Sequence, residues 1–174
     1  MSPLKNKCVL YYVEGDDEMK LVNTLKTELG MIEPGKVQKL NVVQTEITAM
    51  HLRTLKNKTI IVLIFDTDTD SVAILNKNIR KLQSCQAVSE IILIPQVPNL
   101  EGELVRSCNI RRIEELLNSK SKTDFKADFI RVSNLGKKLQ EHNFDICLFW
   151  SQIPSAPFHG IENNAAKIKK SSNK

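Results

Sequence analysis

Acidic residues follow three separate apolar segments of the 174-residue chain, and their type and placement suit chemistry on phosphate groups. Carboxylate oxygens are hard ligands of the kind that Mg²⁺ or Mn²⁺ prefers, and carboxylates brought together repel one another unless a cation joins them. Such a cation can position a phosphodiester, polarise it and lower the pKa of an attacking water. The acids concerned are Glu14, Asp66, Asp68, Asp70, Glu101 and Glu103.

The apolar segments that precede these acids are predicted to be β-strands. Residues 8–13 are rich in β-branched and aromatic side chains, and residues 59–65 are almost uniformly apolar. The second pattern indicates a strand buried on both faces, as in a parallel sheet. Two further strands are predicted over residues 37–43 and 90–95.

Helical patterns alternate with these strands. A chain of this kind predicts an α/β fold with a central, mostly parallel sheet of about four strands flanked by helices. We expect a single domain over residues 1–159, helical from about residue 105, and a disordered basic tail over residues 160–174. Helices are predicted over residues 16–29, 46–55 and 71–83, as one or two short helices over 100–118, and as one long helix over 121–139; residues 144–150 form a last strand or helix.

In open parallel sheets, ligands bind outside the carboxyl ends of the strands. The three groups of acids would therefore converge on one edge of the sheet. Each acid also has a simpler interpretation: Asp66 as a helix cap, and residues 66–70 as a turn or a calcium loop. Ser71 and Lys77 stand where a calcium loop needs Gly and Glu. Glu18 either orients Glu14 or a basic partner, or is solvated.

The segments Val13–Glu18 and Ile64–Asp68 together resemble the Toprim domain, which pairs a Glu-Gly after its first strand with an Asp-x-Asp after a later apolar strand. The resemblance covers residues 7–105 and is closer to small bacterial Toprim proteins of the OLD and RloB kind. Asn99–Leu104 resembles a further acidic element of those proteins. The chain carries no Walker A sequence, no suitably placed nucleophilic tyrosine and no zinc module, in contrast to ATPase-linked nucleases, topoisomerases and primases.

The resemblance implies a nuclease that depends on Mg²⁺ or Mn²⁺, cleaves DNA or RNA, and acts in phage defence beside a separate ATPase subunit. It implies that Glu14 is a general acid/base or metal ligand and that Asp66 and Asp68 bind metal. Glu103 or Glu101 would complete the site, and Asp70 is a weaker candidate. Two alternatives stay open: a non-catalytic interaction subunit, and a phosphotransferase or hydrolase that acts on nucleotides.

Basic residues near these acids are candidates for contacts with nucleic acid, although a solvated helix face explains some of them equally well. The net charge of +5 is a weak argument, since four lysines and one glutamate in residues 160–174 supply +3 of it. The candidates are Arg106, Arg111, Arg112, Lys122 and Lys126.

The cysteines and the first residues of the chain are informative about the cellular compartment. The four cysteines show neither paired nor zinc-finger spacing, so they are predicted to be reduced, with Cys8 and Cys147 buried. The first residues lack the apolar core of a signal peptide, and no apolar run is long enough to span a bilayer. We therefore expect a cytoplasmic protein that does not enter the membrane.

Overall fold

A four-stranded, all-parallel sheet forms the centre of the computed structural model, which describes residues 7–171. The strand order is β2-β1-β3-β4, so the two strands that precede the main acids are neighbours. This architecture confirms the predicted α/β fold. The strands are β1 Cys8–Val13, β2 Lys36–Lys39, β3 Thr59–Asp66 and β4 Val88–Gln96.

Strand β3 occupies the interior of the sheet, where its apolar run is buried on both faces. Tyr11 of β1 pairs with Val62 of β3, and Asp66 at the end of β3 pairs with Gln96 at the end of β4. Because all strands point the same way, their carboxyl ends lie on one edge. Glu14 and the residues that follow Phe65 therefore reach the same region.

Helices cover both faces of the sheet and create two apolar cores. One core joins α1, α4, α5 and α6 to the face that carries Tyr11 and Val62. The other joins α2 and α3 to the face that carries Leu63 and Phe65. The helices are α1 Asp16–Asn23, which continues as a π-helical turn Thr24–Glu28, α2 Ala49–Arg53, α3 Ala73–Gln83, α4 Leu100–Ser107, α5 Lys122–Arg131 and α6 Leu135–Glu141.

Strand β2 is shorter than the predicted span of residues 37–43. Asn41 ends it, because its side-chain oxygen accepts hydrogen bonds from the backbone N–H groups of Val43 and Gln44 and bends the chain. Residues 144–150 form turns instead of a strand or helix. There the Asp145 side chain accepts from the backbone N–H of Cys147, a local bond that competes with regular structure.

The long helix predicted over residues 121–139 is two helices. Val132 is extended, with φ −58° and ψ 132°, and separates α5 from α6. The ammonium group of Lys20 in α1 donates to the carbonyl groups of Ile130 and Val132, which satisfies the exposed end of α5. This contact between distant parts of the chain favours a break that the local pattern does not show.

The C-terminal segment is ordered as far as the structure describes it, so the expectation of a disordered tail is wrong for residues 160–171. Ile168 and Ala165 are buried in the first core, and Lys169 forms an antiparallel bridge with Ile32. Asn164 bonds through its backbone N–H and side-chain oxygen to Leu93 at the outer edge of β4. The burial of Ala165 and Ile168 thus holds this segment on the domain in spite of its basic charge. Residues 172–174 lie outside the described residues.

The four cysteines are all free, but the expectation of burial is wrong for two of them. Cys8 begins β1 and is exposed, and Cys147 lies in the turns after residue 144 and is also exposed. Among residues 7–171, the helices are too short or too polar to cross a bilayer.

Candidate acidic site

The carboxyl groups of Glu14 and Asp66 meet at the edge of the sheet where β1 and β3 end. Glu14 is fixed by two donors: the backbone N–H of Asp66 at 2.7 Å and the side-chain nitrogen of Asn41 at 2.5 Å. Asp66 accepts from the side-chain nitrogen of Gln96 at 2.7 Å. Both acids are therefore held by hydrogen bonds from neighbouring strand ends, as the parallel arrangement requires.

Burial makes the carboxyl groups of both acids harder to ionise. Burial and, after it, the adjacent Glu14 charge raise the pKa of Asp66 to about 8, although the hydrogen bond from Gln96 opposes the rise. Burial also raises the pKa of Glu14, against the bonds from Asp66 and Asn41. When Asp66 carries the proton, its carboxyl group bonds to Glu14. A bound cation would relieve the repulsion that the proton otherwise relieves.

Two further acids contribute charge beside this pair. Asp68 is exposed and accepts a hydrogen bond from Asn99 at 3.2 Å, and its charge raises the pKa values of Glu14 and Asp66. Glu101, in the first turn of α4, also raises the pKa of Asp66. It pairs with Lys126 of α5 at 3.5 Å. The structure thus brings Glu14, Asp66, Asp68 and Glu101 together.

Glu18 is a buried member of the same region. Its carboxylate accepts from the backbone N–H of Gly15 at 3.0 Å, which fixes the turn between β1 and α1. Burial, together with Asp17, raises the pKa of Glu18 to about 9. The alternative of a solvated side chain is therefore wrong. Glu18 supports the turn that presents Glu14, and its charge also acts on Lys126.

Glu103 lies apart from these acids, although the resemblance made it a candidate ligand. Its side chain is fully buried and accepts from the backbone N–H groups of Val97 at 2.9 Å and Trp150 at 2.8 Å. It also pairs with Arg106 at 2.9 Å. These bonds occupy the carboxylate inside the protein. Asp70 is exposed, and no contact joins it to Glu14 or Asp66 among the described residues.

The five basic candidates also differ in whether they lie beside the acids or elsewhere. Arg106 pairs with Glu103 and donates to the backbone oxygen of Val97 at 2.5 Å, so its guanidinium is engaged internally. Arg112 and Lys122 line a cavity of about 450 Å³ together with Asn99 and Glu101, next to the acids. Arg111 is exposed beyond that cavity. The Lys126 side chain is 63% exposed and pairs with Glu101, which raises the pKa of the lysine.

The sequence did not single out Asn41 and Gln96, which hold the two central carboxyl groups. Gln96 is the last residue of β4 and Asn41 follows β2, so both occupy strand ends on the same edge. That position is the signal that could have identified them. Amides carry no charge, and an acid-based search passes over them.

The chemistry of the donors is compatible with Mg²⁺ or Mn²⁺, because the oxygens of Glu14 and Asp66 are hard ligands that lie together. Mg²⁺ is usually held by one or two carboxylates together with waters and substrate phosphates. Across residues 7–171, no three His, Cys, Asp or Glu side chains are placed to hold an ion together. Glu14 and Asp66 form the close pair, while the Asp68 carboxylate bonds to Asn99.

Comparisons of the chain with protein-family models, with curated proteins and with solved structures find no match.

Proposed function

We propose that this protein is a divalent-metal-dependent phosphodiesterase, acting as a nuclease on DNA or RNA. The observation that carries the proposal is the contact between the Glu14 and Asp66 carboxyl groups at the ends of neighbouring parallel strands. Mutual repulsion there favours a cation. The order Glu-Gly, then Asp-x-Asp on the adjacent strand, is also what the resemblance to the Toprim domain implies.

Glu14 and Asp66 would hold the metal, with Asp68 joining them if it exchanges Asn99 for the ion. A bound Mg²⁺ supplies charge neutralisation at the phosphate and a lowered pKa for water. The remaining chemistry belongs to side chains of this chain. If Asp66 and Asp68 held the ion without Glu14, the Glu14 carboxyl, whose pKa burial raises, would suit proton transfer to or from the reacting oxygens.

Basic side chains around the acids would position the substrate backbone. Lys126 pairs with Glu101, and Arg112 and Lys122 line the cavity that Glu101 also lines, so a phosphate chain in this cavity would meet positive charge beside the acids. Such contacts carry no base information and predict binding that weakens with salt. Sequence specificity would then need another source.

We also infer a cytoplasmic location and, in the cell, a separate ATPase partner. Four free cysteines, two of them exposed, suit a reducing compartment. The partner rests on the resemblance alone, because the nucleases of the OLD kind usually carry an ATPase region and this sequence has no Walker A motif.

The test is cleavage by the purified chain of plasmid DNA and of single-stranded RNA, with Mg²⁺, with Mn²⁺ and with a chelator. We expect metal-dependent nicking that Glu14→Gln and Asp66→Asn each reduce by about 100-fold or more, as loss of a group acting on transition-state charge does. Glu90→Gln is the matched control, since it neutralises an acid at the other end of β4.

Equal cleavage by parent and both acid variants would refute this site. Cleavage of free nucleotides without cleavage of polymers would instead support the nucleotide hydrolase alternative. No cleavage by the parent, with partner binding unchanged in the acid variants, would support the interaction-subunit alternative.

A further inference from the structure

A buried chain of hydrogen bonds runs from the acidic site into the protein core. Gln96 is fully buried, and its side-chain nitrogen donates to the Oδ1 atom of Asp66 at 2.7 Å. Its side-chain oxygen accepts from the indole Nε1–H of Trp150 at 3.2 Å. The amide therefore joins the site to the single tryptophan of the chain.

The tryptophan determines which way the amide faces. An indole N–H can only donate, so the oxygen of the Gln96 amide must face Trp150 and the nitrogen must face Asp66. Asp66 Oδ1 is thereby held as an acceptor. If the amide turned over, its oxygen would face the carboxylate and repel it. The indole thus fixes both the position and the hydrogen-bonding sense of Gln96.

Trp150 is itself held from several directions. Its backbone N–H donates to Glu103 at 2.8 Å, and its backbone oxygen accepts from Asn163 at 3.0 Å. Its ring packs on Phe149 with centroids 4.5 Å apart. The residue adopts a φ of 53°, a conformation that a bulky side chain keeps only where its surroundings impose it.

We propose that Gln96 and Trp150 are positioning residues of the acidic site, which fix the Asp66 carboxylate in the orientation that binds a divalent cation. This inference rests on the proposed function, and it assigns the buried Glu103 a part in the site as the support of Trp150. Partners that orient a ligating group from behind commonly change metal affinity by about 10–100-fold when removed.

The experiment measures Mn²⁺ binding by calorimetry in the parent, Gln96→Met and Trp150→Phe. Met keeps the length of the side chain but cannot donate to Asp66, so we expect affinity to fall by about 10–100-fold with one site per chain retained. Trp150→Phe frees the amide to turn over, and we expect a smaller loss. A purely structural role would lower the number of sites per chain and leave their affinity unchanged.

Gln38→Met is the matched control: it makes the same substitution on β2, away from the carboxyl pair, and should bind Mn²⁺ like the parent. A second readout uses the single indole N–H signal in a ¹H–¹⁵N spectrum. Mg²⁺ should shift that signal in the parent and leave it unmoved in Gln96→Met, because the amide that connects the two is gone.

The outcomes separate the two proposals. A parent that binds and cuts with metal, beside a Gln96→Met variant of equal affinity, overturns the positioning role and leaves the proposed function intact. A parent that binds no Mn²⁺ or Mg²⁺ overturns the proposed function and this inference together.

Discussion

At the scale of single residues, the contact between Glu14 and Asp66 brings two acidic groups so close that a proton or a cation must neutralise part of their charge. Two carboxyl groups in contact are not both ionised without a counter-charge. Asn41 and Gln96 favour the charged forms, whereas burial opposes them. Under the proposed function, protons and metal ions would therefore compete for the same pair of side chains.

This competition predicts how stability depends on pH in metal-free buffer. The folded-state pKa of Asp66, about 8, lies above its ordinary value of 3.8, so folding takes up a proton and stability falls as pH rises between those values. We expect the parent to lose several degrees of melting temperature from about pH 5 to about pH 8, and Asp66→Asn to lose fewer, where about 1 kcal/mol corresponds to roughly 2–4 °C. Thermal melts followed by circular dichroism measure the difference.

Some pH dependence should remain in Asp66→Asn, because burial also raises the pKa of Glu18 to about 9. Melting curves that fall in parallel for parent and variant would show that Asp66 is not the titrating group. Added Mg²⁺ should flatten the parent curve if the ion replaces the proton.

Glu101 and Glu103 show why composition alone cannot assign the site. Two positions separate them, and their side chains are chemically identical. Glu101 faces the acids and Lys126, while Glu103 is fully buried among backbone donors and Arg106. Which one turns inward depends on the packing of α4 against the sheet, and the local sequence carries no sign of that packing.

Replacement of these two residues should therefore destabilise the protein by different amounts. Glu103→Ala leaves a buried guanidinium and two backbone N–H groups without an acceptor, and we expect a loss of about 3–5 kcal/mol in the free energy of unfolding. Glu101→Ala removes an ion pair whose lysine is exposed and whose 3.5 Å separation is long, and we expect a loss of about 1 kcal/mol. Urea denaturation provides both values. Equal losses would contradict the buried role of Glu103.

At the scale of elements, the loop that joins β4 to α4 holds one side of the site. Asn99 caps α4 by accepting from the backbone N–H of Gly102 at 3.0 Å, and its side-chain nitrogen donates to Asp68. Thr67, between the two aspartates, donates from its backbone N–H to the backbone oxygen of Pro98 at 2.8 Å. The two acidic loops are therefore tied to each other.

Gly102 sets how closely this loop approaches α4. A Cβ there would lie 2.7 Å from Pro98 and 3.3 Å from the Val97 oxygen, so Gly102→Ala must displace the loop. We expect a destabilisation of about 1–3 kcal/mol, the usual effect of overpacking. Gly160→Ala is the control, because a Cβ there meets nothing within 4 Å. Similar denaturation midpoints for the two variants would contradict this account.

The sequence was a good guide to elements wherever burial is uniform. Strand β3 begins at the predicted Thr59 and ends one residue later than predicted, because an apolar run buried on both faces has one stable place in a parallel sheet. The break between α5 and α6 was not predicted, and the ammonium group that bonds to the carbonyl groups there belongs to Lys20, more than a hundred residues away. Local patterns contain no record of such contacts.

At the scale of the whole molecule, the C-terminal segment, residues 160–171, connects the edge of the sheet to the first core. Its Asn164 bonds to Leu93 at the edge of β4, and its residues Lys169 and Lys170 contact Ile32 and Met31. On the way, Asn163 and Lys169 bond to the backbone oxygens of Trp150 and Phe149. The basic composition of the segment did not indicate this packing, because the buried residues Ala165 and Ile168 are a small part of it.

The buried Ile168 should account for much of the stability that the segment contributes. Its side chain is fully buried in the first core, so Ile168→Ala should cost about 2–5 kcal/mol, as truncation of a core Ile does. Ser171→Ala, at an exposed position, should change the free energy of unfolding by less than about 0.5 kcal/mol. An unchanged melting temperature in Ile168→Ala would show that the segment does not pack in solution.

The packing of residues 165–169 against Ile32 also has a consequence for the order of folding. More than a hundred residues lie between Ile32 and Lys169, which form an isolated antiparallel bridge. The entropy of closing so long a loop is lost before the contact offsets it. We therefore expect the first core to be completed late in folding, after the strands of the sheet have paired.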